Sequence, residues 1–236
     1  MIPAILHYVW VGSPLPPTQQ DFIRSWRATN PSYDIRQWDE SNIDMQHPMI
    51  KDAYRKKKWA KVADIARLQA IAQMGGIYLD TDFRVFKSLD VIRQHKCFYA
   101  FQEVNPSTDW VCNGAFGAEP DHWFVKKALQ GLFDIRRVPL LPERPTNYGP
   151  KHITRMLRAE GLDHYSPEGV MVKDIFVAPV PMFFPFHYTE SFTPECVTDK
   201  TVAAHFWAKA WETSIPPWIR VARNLRNRAR ALAGTG

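Results

Sequence analysis

The first forty residues read strand, helix, strand, and that order constrains the fold more than any other feature of the chain. "AILHYVWV" (4–11) is an apolar run bounded by Gly12, Pro14, Pro16 and Pro17. "TQQDFIRSWRATN" (18–30) has helical periodicity that turns Phe22, Ile23 and Trp26 inward, and it must stop before Pro31. "YDIRQW" (33–38) alternates as a strand does. A crossover helix between two nearby strands makes them a parallel pair, which predicts an α/β layered fold.

A second unit follows the same logic. "AKVADIARLQAIAQM" (60–74) is filled with good helix formers and closed by Gly75-Gly76. It delivers "IYL" as a short strand that runs into Asp80-Thr81-Asp82, with "FRVF" extended beyond. Further strands are expected over 97–102, 110–118, "DIFVAPV" and "TVAAHFW", and helices over 122–133 and 149–161.

The chain's 236 residues suit one large domain, expected over 1–217, with an appended tail over 218–236. No apolar run reaches the roughly 18 residues of a membrane-spanning helix. The N-terminus lacks a basic leader and reads as the first core strand, not a signal peptide. Cys97, Cys112 and Cys196 have no ligand spacing and read as small buried side chains in a reducing compartment. The net charge of +6 is concentrated. Residues 218–236 hold five of the 30 basic residues and no acid, and the other 25 nearly balance the 24 acids. A general nucleic-acid surface is therefore not expected. The tail reads as a basic amphipathic helix suited to anionic lipid, or to packing on the domain.

Aspartate is a poor strand former, so two of them at a strand end call for a reason. In open α/β sheets ligands gather beyond the carboxyl ends of strands. Asp80 and Asp82 would point the same way if the segment stays extended. Their charges repel unless a cation sits close by. Mg²⁺ or Mn²⁺ fits that role, with substrate phosphates completing the shell. The plain alternative is a carboxylate pair that caps a turn.

The wider pattern is more specific. Ala63-Asp64-Ile65-Ala66-Arg67, a helix, and then Gly75-Gly76-Ile77-Tyr78-Leu79-Asp80-Thr81-Asp82 resemble the sugar-nucleotide site of the family 32 glycosyltransferases. That group includes α-1,6-mannosyltransferases and α-1,4-galactosyltransferases, and its region is named for the DXD motif. "IPAILHYVWVGSPLPP" resembles the family's opening, "TNYGPKHIT" its T-G-P segment, and "HFWAKAW" its closing histidine–tryptophan segment. The resemblance spans about residues 2–211.

The resemblance implies a GT-A fold with a mixed, mostly parallel central sheet flanked by helices. It implies a nucleoside-diphosphate sugar donor, UDP favoured over GDP, and retention of anomeric configuration. Asp80 and Asp82 would hold Mn²⁺ or Mg²⁺, with His205 as a third ligand, since imidazole suits Mn²⁺. Asp64 and Arg67, three apart on one helical face, would grip the donor sugar. Trp10 would stack on the base, and Asn113, Gly149 and Trp211 would line the donor site. His7 reads as structural. Ala210 stands where relatives often carry serine, and Lys209 could supply charge there instead. The expected activity is hexosyl transfer to a glycan or lipid-linked hydroxyl in surface polysaccharide synthesis, at the cytoplasmic membrane face. Rival readings are a glycan- or partner-binding protein on a transferase scaffold, and a haloacid-dehalogenase-like phosphohydrolase. The latter fits poorly, because Arg84 stands where its pattern wants Thr or Val.

Overall fold

The structure is a computed structural model, and it describes residues 1–135 and 147–208. In chain order the elements are β1 (Ile5–Val9), α1 (Pro17–Thr29), β2 (Asp34–Trp38), α2 (Pro48–Arg55), α3 (Trp59–Met74), β3 (Gly76–Leu79) and β4 (Phe83–Val85). They continue with α4 (Asp90–Arg93), β5 (Cys97–Phe101), β6 (Val111–Ala118), α5 (Trp123–Phe133) and α6 (Pro150–Ala159). The remainder are β7 (Val170–Val172), β8 (Ile175–Ala178), α7 (Val180–Phe183) and β9 (Ala203–His205).

Seven strands form one sheet in the order β2-β1-β3-β6-β5-β8-β7. β1 pairs in parallel with β2 and β3, and β5 with β8, while β6 and β7 run against their neighbours. Five strands thus share one direction, the mixed and mostly parallel sheet expected. Side chains alternate across it. Tyr78, Tyr99 and Phe116 face the core under α3, α5 and α6. Ile77, Leu79, Phe98 and Ala115 face the opposite core, which α1 closes with Ile23 and Trp26.

The helix-to-strand junction before the two aspartates is tightly packed. Gly75 and Gly76 both have positive φ, 64° and 102°. A Cβ at Gly76 would stand 2.8 Å from His7 Nε2 and from the Ile5 carbonyl, so only glycine fits there. His7 is buried, as a structural histidine should be. Its Nε2 pairs with the Gly75 carbonyl at 2.9 Å, and its Nδ1 accepts from Trp38 Nε1 at 2.9 Å. That pattern requires the neutral ring, and burial pushes its pKa down to about 4. His7 so ties β1 and β2 to the end of α3.

A second, two-stranded sheet pairs β4 with β9 and sets Phe83 opposite His205. α1 braces it. Trp26 Nε1 donates to the Phe83 carbonyl at 2.8 Å, and the Val85 N–H donates to Ser25 Oγ at 3.1 Å.

The long elements fall where the sequence places them. The eight-residue α2 and the edge strand β7 have no counterpart among the expected elements, because each is too short for a clear period. Trp211, Lys209, Ala210 and the tail over 218–236 lie outside the described residues.

Candidate active site

Of the side chains singled out in the sequence, Asp64, Arg67, Asp80, Asp82, Asn113 and His205 meet at the carboxyl end of β3. The strand stops at Leu79. The chain then turns, with the Phe83 N–H donating to the Asp80 carbonyl at 3.1 Å. The condition of an extended Asp80–Asp82 segment is therefore not met. What gathers the carboxylates is the turn, together with partners from distant elements.

Asp80 belongs to a buried network built from α3 and β6. Arg67 and Asp64 are each 5% exposed. Arg67 Nη2 lies 3.2 Å from Asp80 Oδ1 and 3.4 Å from Asp64 Oδ1. Its other donors bind the Asn113 carbonyl at 2.9 Å and the Ala63 carbonyl at 3.1 Å. Asn113 Nδ2 donates to Asp64 Oδ1 at 3.0 Å. Tyr78 Oη donates to Asp80 Oδ1 at 2.8 Å, and the Arg67 guanidinium lies 4.5 Å over the Tyr78 ring. Asn113 sits within β6, not at a strand end. Gly149 caps α6, and a Cβ there would stand 3.1 Å from Asn113 Oδ1 and 3.2 Å from Asp64 Oδ1.

Asp82 is held differently. His205 Nε2 lies 2.9 Å from its Oδ1, and the Ala208 N–H donates to its Oδ2 at 2.8 Å. The Phe206 N–H donates to the Asp82 carbonyl at 2.8 Å. The His205 ring stacks on Phe83 with centroids 4.7 Å apart. Its Nδ1 is buried and has no protein partner.

These surroundings split the acids. Burial raises Asp64 to about 6 against the pull of Arg67 and Asn113. Burial and the charge of Asp82 raise Asp80, although Arg67 opposes them. Burial would raise Asp82 too, but His205 and the Ala208 N–H hold it below the ordinary carboxylate value. His205 is raised in turn: burial alone would lower it, but the charge and hydrogen bond of Asp82 together with the charge of Asp80 outweigh burial. One carboxylate of the pair titrates high and the other low, as two close like charges with unequal partners must.

Asp80, Asp82 and His205 each offer a ligand atom, all within 4.8 Å of one another. Two carboxylates and an imidazole suit a divalent ion of the Mn²⁺ class. His205 Nε2, the ring nitrogen that faces Asp82, is the atom placed beside the carboxylates. Trp10 lies one residue past β1, partly buried against the α1-side core.

Sequence reasoning missed one participant, Tyr78, which is signalled by its place two residues before Asp80. Gly114, offered by the sequence with Asn113 as a candidate contact, is held to glycine by the site itself, because a Cβ there would lie 2.6 Å from Asp80 Oδ2. Only the β3–β6 register brings it there.

The fold is of the GT-A type, and its DXD carboxylate pair stands at the carboxyl end of β3. Residues 16–99 match the family model described as the glycosyltransferase sugar-binding region containing the DXD motif. An uncharacterized glycosyltransferase of Acanthamoeba polyphaga mimivirus is 29% identical over 144 residues, 56% of each chain. The mannosyl phosphorylinositol ceramide synthase of Saccharomyces cerevisiae is 25% identical over 137 residues, 56% of this chain and 35% of that protein. The match thus spans about half of one curated relative and a third of the other. The solved glycosyltransferase PaToxG shares the fold at a TM-score of 0.54 and 14% identity, over 68% of this chain and 70% of that one.

Proposed function

We propose that this chain is a metal-dependent retaining hexosyltransferase. It moves a hexose from a nucleoside-diphosphate sugar, UDP in preference to GDP, to a hydroxyl of a glycan or lipid-linked acceptor in surface polysaccharide synthesis. The observation that carries the reading is the convergence of Asp80, Asp82 and His205 beside the Asp64–Arg67 pair. The preference for UDP rests on the family resemblance alone.

Asp80, Asp82 and His205 would hold Mn²⁺ or Mg²⁺, and a bound divalent ion supplies charge neutralisation for a departing nucleoside diphosphate. Asp64 and Arg67 orient the donor sugar through its hydroxyls, and Asn113 and Gly149 hold Asp64 in place. Trp10 provides an aromatic face for the base. Asp64, Asp80 and Asp82 are each engaged by an Arg, Asn, Tyr or His partner. None is left as an uncommitted nucleophile, which favours a front-face route in which the leaving diphosphate takes the acceptor proton.

Donor turnover tests this reading. Wild-type protein should release nucleoside diphosphate from a UDP-sugar only with Mn²⁺ or Mg²⁺, and Asp82→Asn should abolish release while circular dichroism stays native. Equal, metal-independent turnover in that variant would remove the assignment.

The tail over 218–236 attaches the enzyme to the cytoplasmic membrane face. Its support is the acid-free charge concentration, at about 1 kcal/mol per arginine near an anionic surface. Among the described residues no helix is long and apolar enough to cross a membrane. Full-length protein should sediment with anionic vesicles at low salt, and protein lacking 218–236 should not. Sedimentation unchanged by the deletion would refute this role.

A further inference from the structure

A cavity of about 450 Å³ lies between α3, α5 and the loop after β2. Its volume is within the range of ligand pockets. It is separate from the catalytic cluster. Helical residues advance by about 100° each. Gln69 and Gln73, which line the cavity, therefore stand roughly 200° and 240° round α3 from Arg67.

The lining has a distinctive chemistry. Gln69 and Gln73 are one turn apart on the same helical face, and their side-chain amides make no hydrogen bond to the described protein. Each offers two donors and an acceptor. Asp44 adds a carboxylate, and Trp38 adds a half-buried indole. Lys126, the one cation of the lining, is paired with Asp121 at 3.1 Å. The walls are fixed before any ligand arrives. The Trp38 indole is anchored by its hydrogen bond to His7, and the Asp121 N–H donates to the Ala72 carbonyl at 2.8 Å. Pre-fixed walls reduce the ordering cost of binding.

With its cation paired and a second acid nearby, the cavity repels phosphates and other anions. Free amides and a carboxylate call for a neutral ligand rich in both donors and acceptors. The indole calls for a ligand with an apolar face. A pyranose ring has both properties.

We infer that this cavity is a second carbohydrate site, which binds a neutral oligosaccharide away from the point of transfer. Such a site would tether a long acceptor and raise its effective concentration at the catalytic cleft.

The test uses the full-length protein. Neutral gluco-, galacto- and manno-oligosaccharides are titrated by NMR into wild type and into the Gln69→Ala/Gln73→Ala double variant. Alanine preserves α3, being the best helix former. At least one oligosaccharide series should bind wild type in the millimolar range. The double variant should bind it at least about tenfold more weakly, a loss of about 1.4 kcal/mol. Its thermal midpoint and donor hydrolysis should be unchanged. If no oligosaccharide binds wild type, or if binding survives intact in the variant, the inference is overturned. Oligosaccharide binding lost in the variant by a protein that hydrolyses no donor would support this site and refute the catalytic reading instead.

Discussion

The two aspartates of the site are two residues apart and live in different structures. Asp80 joins a dry network of Arg67, Asp64, Asn113 and Tyr78, most of it drawn from one contiguous stretch of helix and strand. Asp82 is held by His205 and by the N–H of Ala208, which lie more than a hundred residues later in the chain. In the first half one buried guanidinium serves two carboxylates, Asp64 buried and Asp80 partly exposed. In the second an imidazole and backbone groups serve one carboxylate, with an aromatic ring beneath. The difference assigns them different work. The Asp80 half is a rigid frame whose charges are mutually satisfied. The Asp82 half depends on a three-residue strand and a single imidazole contact, so it is the half that can exchange partners with a ligand.

The contrast should appear first in stability. Arg67→Ala leaves the buried Asp64 and the partly buried Asp80 without their cation and should cost about 3–5 kcal/mol. His205→Ala leaves Asp82 with its backbone donor and should cost roughly 1–2 kcal/mol. Urea denaturation of the two variants measures both. Equal losses would erase the distinction between a frame and an exchangeable half.

A somewhat smaller effect sharpens the comparison from below the frame. His7 fixes the glycine junction that leads to Asp80, and it does so as a neutral ring with its pKa lowered to about 4. Between about pH 6.5 and 4 the unfolded chain binds the proton and the folded chain does not. The stability from the neutral ring is therefore present above pH 6.5 and lost as pH falls toward 4, by about 3 kcal/mol at most. Stability curves of wild type and His7→Gln over that range should converge at acid pH. A parallel decline in both would show that His7 is not the titrating group.

The same division decides what could be read from the sequence. Asp64, Arg67, Asp80 and Asp82 were legible because helix periodicity, a glycine stop and strand length act over neighbouring residues. The parallel pairing of β1 with β2 was legible from a crossover helix of the right length. His205 was reached through a family resemblance, since nothing local in "TVAAHFW" marks a ligand; its place depends on the pairing of β4 with β9. Gly114 was named only together with Asn113, and the reason for a glycine there was not legible, because its constraint is a carboxylate delivered by another strand. The turn that ends β3 was not legible, and the extended geometry entered only as a condition. Alternation carries no information about where a strand's hydrogen-bonding partner stops.

We propose that Asp80, Asp82 and His205 form one divalent-metal site. Calorimetric titration of Mn²⁺ into wild type, Asp82→Asn and His205→Ala, each with nucleoside diphosphate present, tests that site. Wild type should show one saturable site, Asp82→Asn should lose binding, and His205→Ala should bind at least about tenfold more weakly, the scale of one lost ligand contact. Unchanged Mn²⁺ affinity in both folded variants would contradict it.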